Sequence, residues 1–205
     1  MVRKAILSAC VVAVAAFGSA SFAEDKAPTT SPAMGNLTPE QQAQMQEWES
    51  FAKPGPQHEE FAKMVGKWTV EMEDYSAGDQ PMKFQGESTF EMILGGRYLA
   101  HNYKGSMMGM QFEGYGLSAY DNLKKKYVDI WLDNMGTGIY VSEGEENDQG
   151  EIVYTGKMTM PGAGEITMKQ VAKKIDDDTH SFAMYTLLPG GGEKKVMAMT
   201  YKRKK

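Results

Sequence analysis

GKWTVEME, residues 66–73, decides the fold. Trp68, Val70 and Met72 alternate with Thr69, Glu71 and Glu73, so apolar side chains take one face of an extended chain and polar ones the other. That period of two belongs to a strand, not a helix. Toward the C-terminus the alternation recurs between turn signals spaced about ten residues apart. They are AGDQP at 77–81, LGG at 94–96, GSMMG at 105–109, DNLKK at 121–125, MGTG at 135–138, ENDQG at 146–150, PGAG at 161–164, DDD at 176–178 and PGGG at 189–192. Strands separated by tight turns, without intervening helices, predict an up-and-down antiparallel meander. Ten such strands left open would expose two edges. Closing the first on the last removes both, so the prediction is an all-β, ten-stranded antiparallel barrel.

Before Gly66 the period is lost. A short helix is expected from Gln57 to Val65. A longer one is expected over 38–53, with Thr38 as N-cap, Pro39 at the first helical position, Gln41 completing a capping box, and a stop before Pro54. Residues 24–37, beginning EDKAPTTSPAMGN, are polar and aperiodic and read as a flexible leader. Residues 1–23 read as a secretory signal peptide. Arg3 and Lys4 precede an apolar run from Ala5 to Gly18, and the small residues Ser21 and Ala23 precede a cut after Ala23. The run is too short to span a bilayer. LSAC, Leu7 to Cys10, resembles a lipoprotein cleavage box, but its preceding apolar segment is shorter than the ~7–15 residues of such a region. The expectation is therefore an exported protein, periplasmic or secreted, whose barrel domain covers 54–205.

Cleavage would remove the only cysteine, leaving no disulfide, thiolate nucleophile or Cys-based zinc site. It would also take the formal net charge from −5 to −7. An acidic domain without a basic stripe argues against nucleic acid. The basic tail Tyr201–Lys205 reads as a solvated strand end.

Gly66-Lys67-Trp68, opening the first strand after a short helix, resembles the G-x-W signature of lipocalin-like (calycin) barrels. The resemblance implies a basic residue of the last strand, Lys202 or Arg203, packed over Trp68. PGPQHEEFAKMVGKW (54–68), LGGRYL (94–99), FEGYGLSAYD (112–121) and WLDNMGT (131–137) together resemble an uncharacterised, often exported bacterial family known as a domain of unknown function. That likeness implies a fold and carries no catalytic residues with it.

Asp129 and Asp133 are an obvious acid pair, but four residues along a strand put them ~13 Å apart. A glycosidase pair needs roughly 5–9.5 Å. They share a face with Tyr127 and Trp131. The simplest reading turns that face to solvent, with Trp131 covering the next strand. The alternative places Trp131 and Asp133 in the barrel mouth as a ligand rim. Gly136 and Gly138, like Gly95-Gly96, match no phosphate-binding pattern and are expected to hold positive φ in turns. Sixteen methionines would remain after cleavage. Most fall at strand alternation and read as adaptable filler among aromatic residues. Only Met107, Met108 and Met110 cluster enough to suggest copper(I). His58, His101 and His180 have no zinc-ligand spacing. His58 reads as a cap or packing residue, while a single axial histidine for haem is a weaker alternative. His101 shares a strand face with Arg97. If that face points inward, the two would be polar anchors in an apolar lumen. No G-x-S-x-G elbow is present.

The expected role is non-enzymatic binding of a small, largely apolar ligand, with no cofactor and no helical membrane span. Trp68, Phe84, Arg97, His101, Phe112, Trp131 and Asp133 are the candidate contacts. Two rivals stay open: a structural module whose lumen is filled by Met and aromatic side chains, and a copper(I)- or haem-binding protein.

Overall fold

The structure, a computed structural model, describes residues 37–205. The expected signal peptide, its cleavage site and the leader up to residue 36 lie outside the described residues. Helix α1 (Pro39–Ala52) begins with the expected capping box. The Thr38 N–H donates to Gln41 Oε1 (2.9 Å), and the Gln41 N–H donates to Thr38 Oγ1 (3.3 Å).

Helix α2 (Pro56–Ala62) is shorter than its sequence suggested. After Ala62 the chain tightens into i→i+3 bonding, the N–H groups of Lys63, Met64 and Val65 donating to the carbonyls of Glu60 (3.2 Å), Phe61 (2.9 Å) and Ala62 (3.3 Å). The freed carbonyls of Lys63, Met64 and Val65 accept from Arg203 (2.6 Å), Trp68 Nε1 (2.9 Å) and Arg203 (2.8 Å). At its start, His58 Nδ1 accepts the Gly55 N–H (3.1 Å), the capping role its position suggested.

Ten strands follow: β1 (Gly66–Asp74), β2 (Met82–Ile93), β3 (Tyr98–Met107), β4 (Met110–Asp121), β5 (Lys126–Asp133), β6 (Tyr140–Glu146), β7 (Glu151–Met160), β8 (Gly164–Lys174), β9 (Thr179–Leu187) and β10 (Glu193–Arg203). Each pairs antiparallel with its chain neighbours, and β1 pairs with β10, so the sheet closes into a barrel. The seam sets Trp68 opposite Arg203 and Val70 opposite Tyr201. Along β1, Trp68, Val70 and Met72 point inward and are buried, as the alternation required.

The seam has a lock at one end. The Arg203 guanidinium lies 4.2 Å from the Trp68 ring centroid, the contact implied by the G-x-W resemblance. Lys202, one residue earlier, faces out and pairs with Glu71 (3.1 Å). The basic tail is therefore only partly a solvated end, because Tyr201 is buried and Arg203 is engaged. Helix α2 packs at this same end, with Phe61 edge-on to Tyr127 (6.0 Å) and His58 edge-on to Tyr120 (6.3 Å).

The turns separate by length. Leu94, Gly95 and Gly96 have φ of 50°, 68° and 80°, and the two-residue Met108-Gly109 turn has 50° and 81°. Tight hairpins need such values to match strand twist. Gly136 and Gly138, expected to share them, do not. Six residues join β5 to β6, so the reversal is spread over a longer path. Side chains fix it instead: Asp133 Oδ1 accepts the Met135 N–H (2.9 Å), and Asn134 Oδ1 accepts the Glu113 N–H (3.1 Å).

Candidate functional site in the barrel lumen

Strand parity and register determine what lines the interior. Ser88 and Phe90 of β2 face in; so do Leu99, His101 and Tyr103 of β3, and Tyr127, Asp129, Trp131 and Asp133 of β5. The β5 face is the reverse of its simplest reading: the acids and Trp131 point into the barrel, and the apolar Val128, Ile130 and Leu132 point out. The neighbours explain it. β4 presents Gly114, Gly116 and Ser118 opposite Asp133, Trp131 and Asp129, and these small residues leave room for a large ring. A Cβ on Gly114 would sit 2.1 Å from Trp131 Cζ2, so the indole lies flat on glycine backbone.

Three serine-anchored pairs line the lumen. Ser88 Oγ lies 2.9 Å from His101 Nε2, Ser118 Oγ donates to Asp129 Oδ1 (2.8 Å), and Ser142 Oγ donates to Gln170 Oε1 (2.8 Å). They span β2 to β8, so polar groups are distributed around the wall. Among the described residues, the Tyr103 and Tyr140 hydroxyls are buried without a hydrogen-bond partner. His101, Ser118 and Asp129 are mid-strand and inward, yet only half-buried.

Burial governs the electrostatics. It pushes the Asp129 carboxyl up to about 6, with the Ser118 hydrogen bond opposing. It pushes His101 down to about 4, keeping the imidazole neutral, and raises Tyr140 to about 12. No lysine, arginine or histidine forms an ion pair with Asp129 among the described residues.

The structure gathers some of the candidate contacts and scatters others. Trp131 lies 5.5 Å from His101 and donates its Nε1–H to Asp133 Oδ2 (2.9 Å). Phe90, which stacks on His101 at 4.2 Å, links this group to Trp68 at 6.4 Å. Trp68 itself is fully buried beneath Arg203 and belongs to the closed end. Phe84 faces in across from Met72, and Phe112 packs against Tyr103 (5.5 Å). Arg97 is not a lumen anchor. It is exposed in the β2–β3 turn, where it donates to the Leu94 carbonyl (3.2 Å). Its parity matched that of His101, but it precedes the first β3 residue. Asp129, set aside in the sequence as half of a failed acid pair, is the central polar group.

Met107 and Met110 face each other across the β3–β4 turn, with Met108 exposed at its tip. Among the described residues, no cluster of three His, Cys, Asp or Glu side chains could hold a metal ion. A surface cleft of about 410 Å³ lies at the closed end, between Lys63, Lys174, Asp177, Asp178, His180 and Arg203. Arg203 and Lys174 are already paired there with Asp178 and Asp177.

A closed ten-stranded antiparallel meander, capped by a short helix and lined by its own side chains, is a calycin-like barrel. The chain belongs to the family described as protein of unknown function (DUF1579), which matches residues 53–203. Its fold is similar to that of Rv2717c from M. tuberculosis, at 14% identity and a TM-score of 0.52, covering 75% of this chain and 100% of that one. It is similar also to the S-type phycobiliprotein lyase CPES from Guillardia theta, at 12% identity and a TM-score of 0.54, covering 72% and 92%. No curated protein matches the sequence.

Proposed function

We propose that this protein is an exported, non-enzymatic carrier or sensor that binds a small, mostly apolar molecule in its barrel. One observation carries the reading: inward, mid-strand polar pairs retain accessible surface among aromatic walls. A few polar groups in an apolar concavity is the common form of a small-molecule site. That one structural neighbour is a lyase brings no chemistry here, because the likeness is one of fold.

Tryptophan placement supplies the test. Trp48 is exposed on α1, Trp68 is sealed, and Trp131 is half-buried on the lumen wall. N-phenyl-1-naphthylamine should bind saturably and accept energy on tryptophan excitation. Trp131→Phe should remove more of that transfer than Trp48→Phe. Absence of saturable binding, or transfer dependent only on Trp48, would refute lumen binding and leave a structural module.

A further inference from the structure

We infer that the lumen selects ligands with a cationic or strongly hydrogen-bond-donating head, which docks on Asp129; the inference rests on the lumen reading above. Asp129 Oδ1 accepts one hydrogen bond, from Ser118, and no cationic side chain pairs with the carboxyl. Its second oxygen is not among the buried polar atoms left without a partner. With the residue only half-buried, that oxygen meets interior space and not sealed protein. An ionised carboxylate in this setting has lost much of its hydration without gaining a counter-charge, a costly state that a bound cation relieves.

The walls fit the same chemistry. Tyr127 and Trp131 flank Asp129 on the inner face of β5, and Tyr140 and Tyr154 come from β6 and β7. The phenols of Tyr140, Tyr154 and Tyr201 all lie close enough to sense the Asp129 charge. Aromatic faces around a carboxylate attract an organic ammonium twice, through the charge and through the ring quadrupoles. His101, on the inner wall of β3, is held neutral by burial and so brings no positive charge to the carboxylate. The ligand class is thus an aromatic or aliphatic body bearing an amine.

Three probes of one shape separate the terms: naphthalen-1-ylmethanol, naphthalen-1-ylmethylammonium and 1-naphthoate, each displacing N-phenyl-1-naphthylamine at pH 7.5. A charge-assisted contact should make the ammonium bind about tenfold tighter than the alcohol, with naphthoate the weakest. The preference should survive 1 M salt, because a buried charge is screened less than the acidic surface. Asp129→Asn, which keeps shape and the Ser118 contact, should abolish the advantage of the ammonium over the alcohol. Equal binding by the wild type, or a preference that persists in Asp129→Asn, overturns the inference while leaving lumen binding intact. Failure of N-phenyl-1-naphthylamine and the alcohol to bind at all overturns the lumen reading and the inference with it.

Discussion

Asp129 and His101 are inward-facing ionisable groups with opposite preferences, and together they shape the pH dependence of stability. The Asp129 carboxyl is raised from 3.8 to about 6, so the fold holds its proton more tightly than the unfolded chain does. The stability this confers is present below pH ~4 and is lost as pH rises toward about 6. His101 is lowered from 6.5 to about 4, so its contribution is present above pH ~6.5 and is lost as pH falls toward about 4. Between about 4 and 6 the two slopes oppose each other and flatten the wild-type profile. Asp129→Asn removes one of them. The variant should match the wild type near pH 4 and exceed it at pH 7 by on the order of 1–3 kcal/mol, less where water reaches the carboxyl. Urea denaturation across that range is the check, and a variant less stable than wild type at pH 7 would mean the carboxylate is already well solvated. Nothing in KYVDIWLD marked Asp129 for this position. Period two separates two faces but does not say which is inside, and the apolar Val128, Ile130 and Leu132 were the natural choice for the core. The glycines that decide the matter lie on the adjacent strand.

Those glycines act as a property of the β4–β5 pair. Gly114 and Gly116 form a bare backbone track on which the Trp131 ring rests, and the clash built by a Cβ at Gly114 is with the ring itself. Gly114→Ala should therefore cost about 1–3 kcal/mol through overpacking, although alanine is otherwise acceptable in a strand. The emission of Trp131 should shift as the ring is pushed from the wall. A thermal melt unchanged within error would show that the indole can move aside freely. The strands and their order were readable from the sequence because turn residues and alternation are local signals. Short positive-φ turns such as Gly95-Gly96 were readable too. Cross-strand register was not, because it depends on which residues meet across a turn. The behaviour of Gly136 and Gly138 was hidden for a related reason: the length of the β5–β6 connection, not its glycine content, sets its geometry.

For the barrel as a whole, the central fact is the seam between β1 and β10. Trp68 sits there with Phe90 at 6.4 Å, His180 at 4.9 Å and Arg203 above it at 4.2 Å, while Arg203 also ties down the chain after α2. Trp68→Ala should cost ~3–5 kcal/mol, as for a fully buried aromatic whose cavity cannot collapse. A loss below about 1 kcal/mol in chemical denaturation would show that the seam holds without its lock. Closure and its lock were both legible early, since a ten-stranded meander demands one and the G-x-W resemblance implies the other. The identity of the locking residue follows from parity, Arg203 facing in and Lys202 out.

That seam also fixes an order of events. Thr69 and Lys202 meet across it although 133 residues separate them in the chain. A ribosome makes β1 before β10, so one edge of the first strand stays unpaired until the tenth has been made. No shorter product can satisfy it, because β2 covers only one side. The final eleven residues of the sheet, Glu193–Arg203, thus serve as a completion signal: a chain interrupted anywhere upstream remains an open ribbon with two reactive edges, exposed to proteases and to other chains. Closure of this barrel is in that sense a check on whether its tenth strand is present.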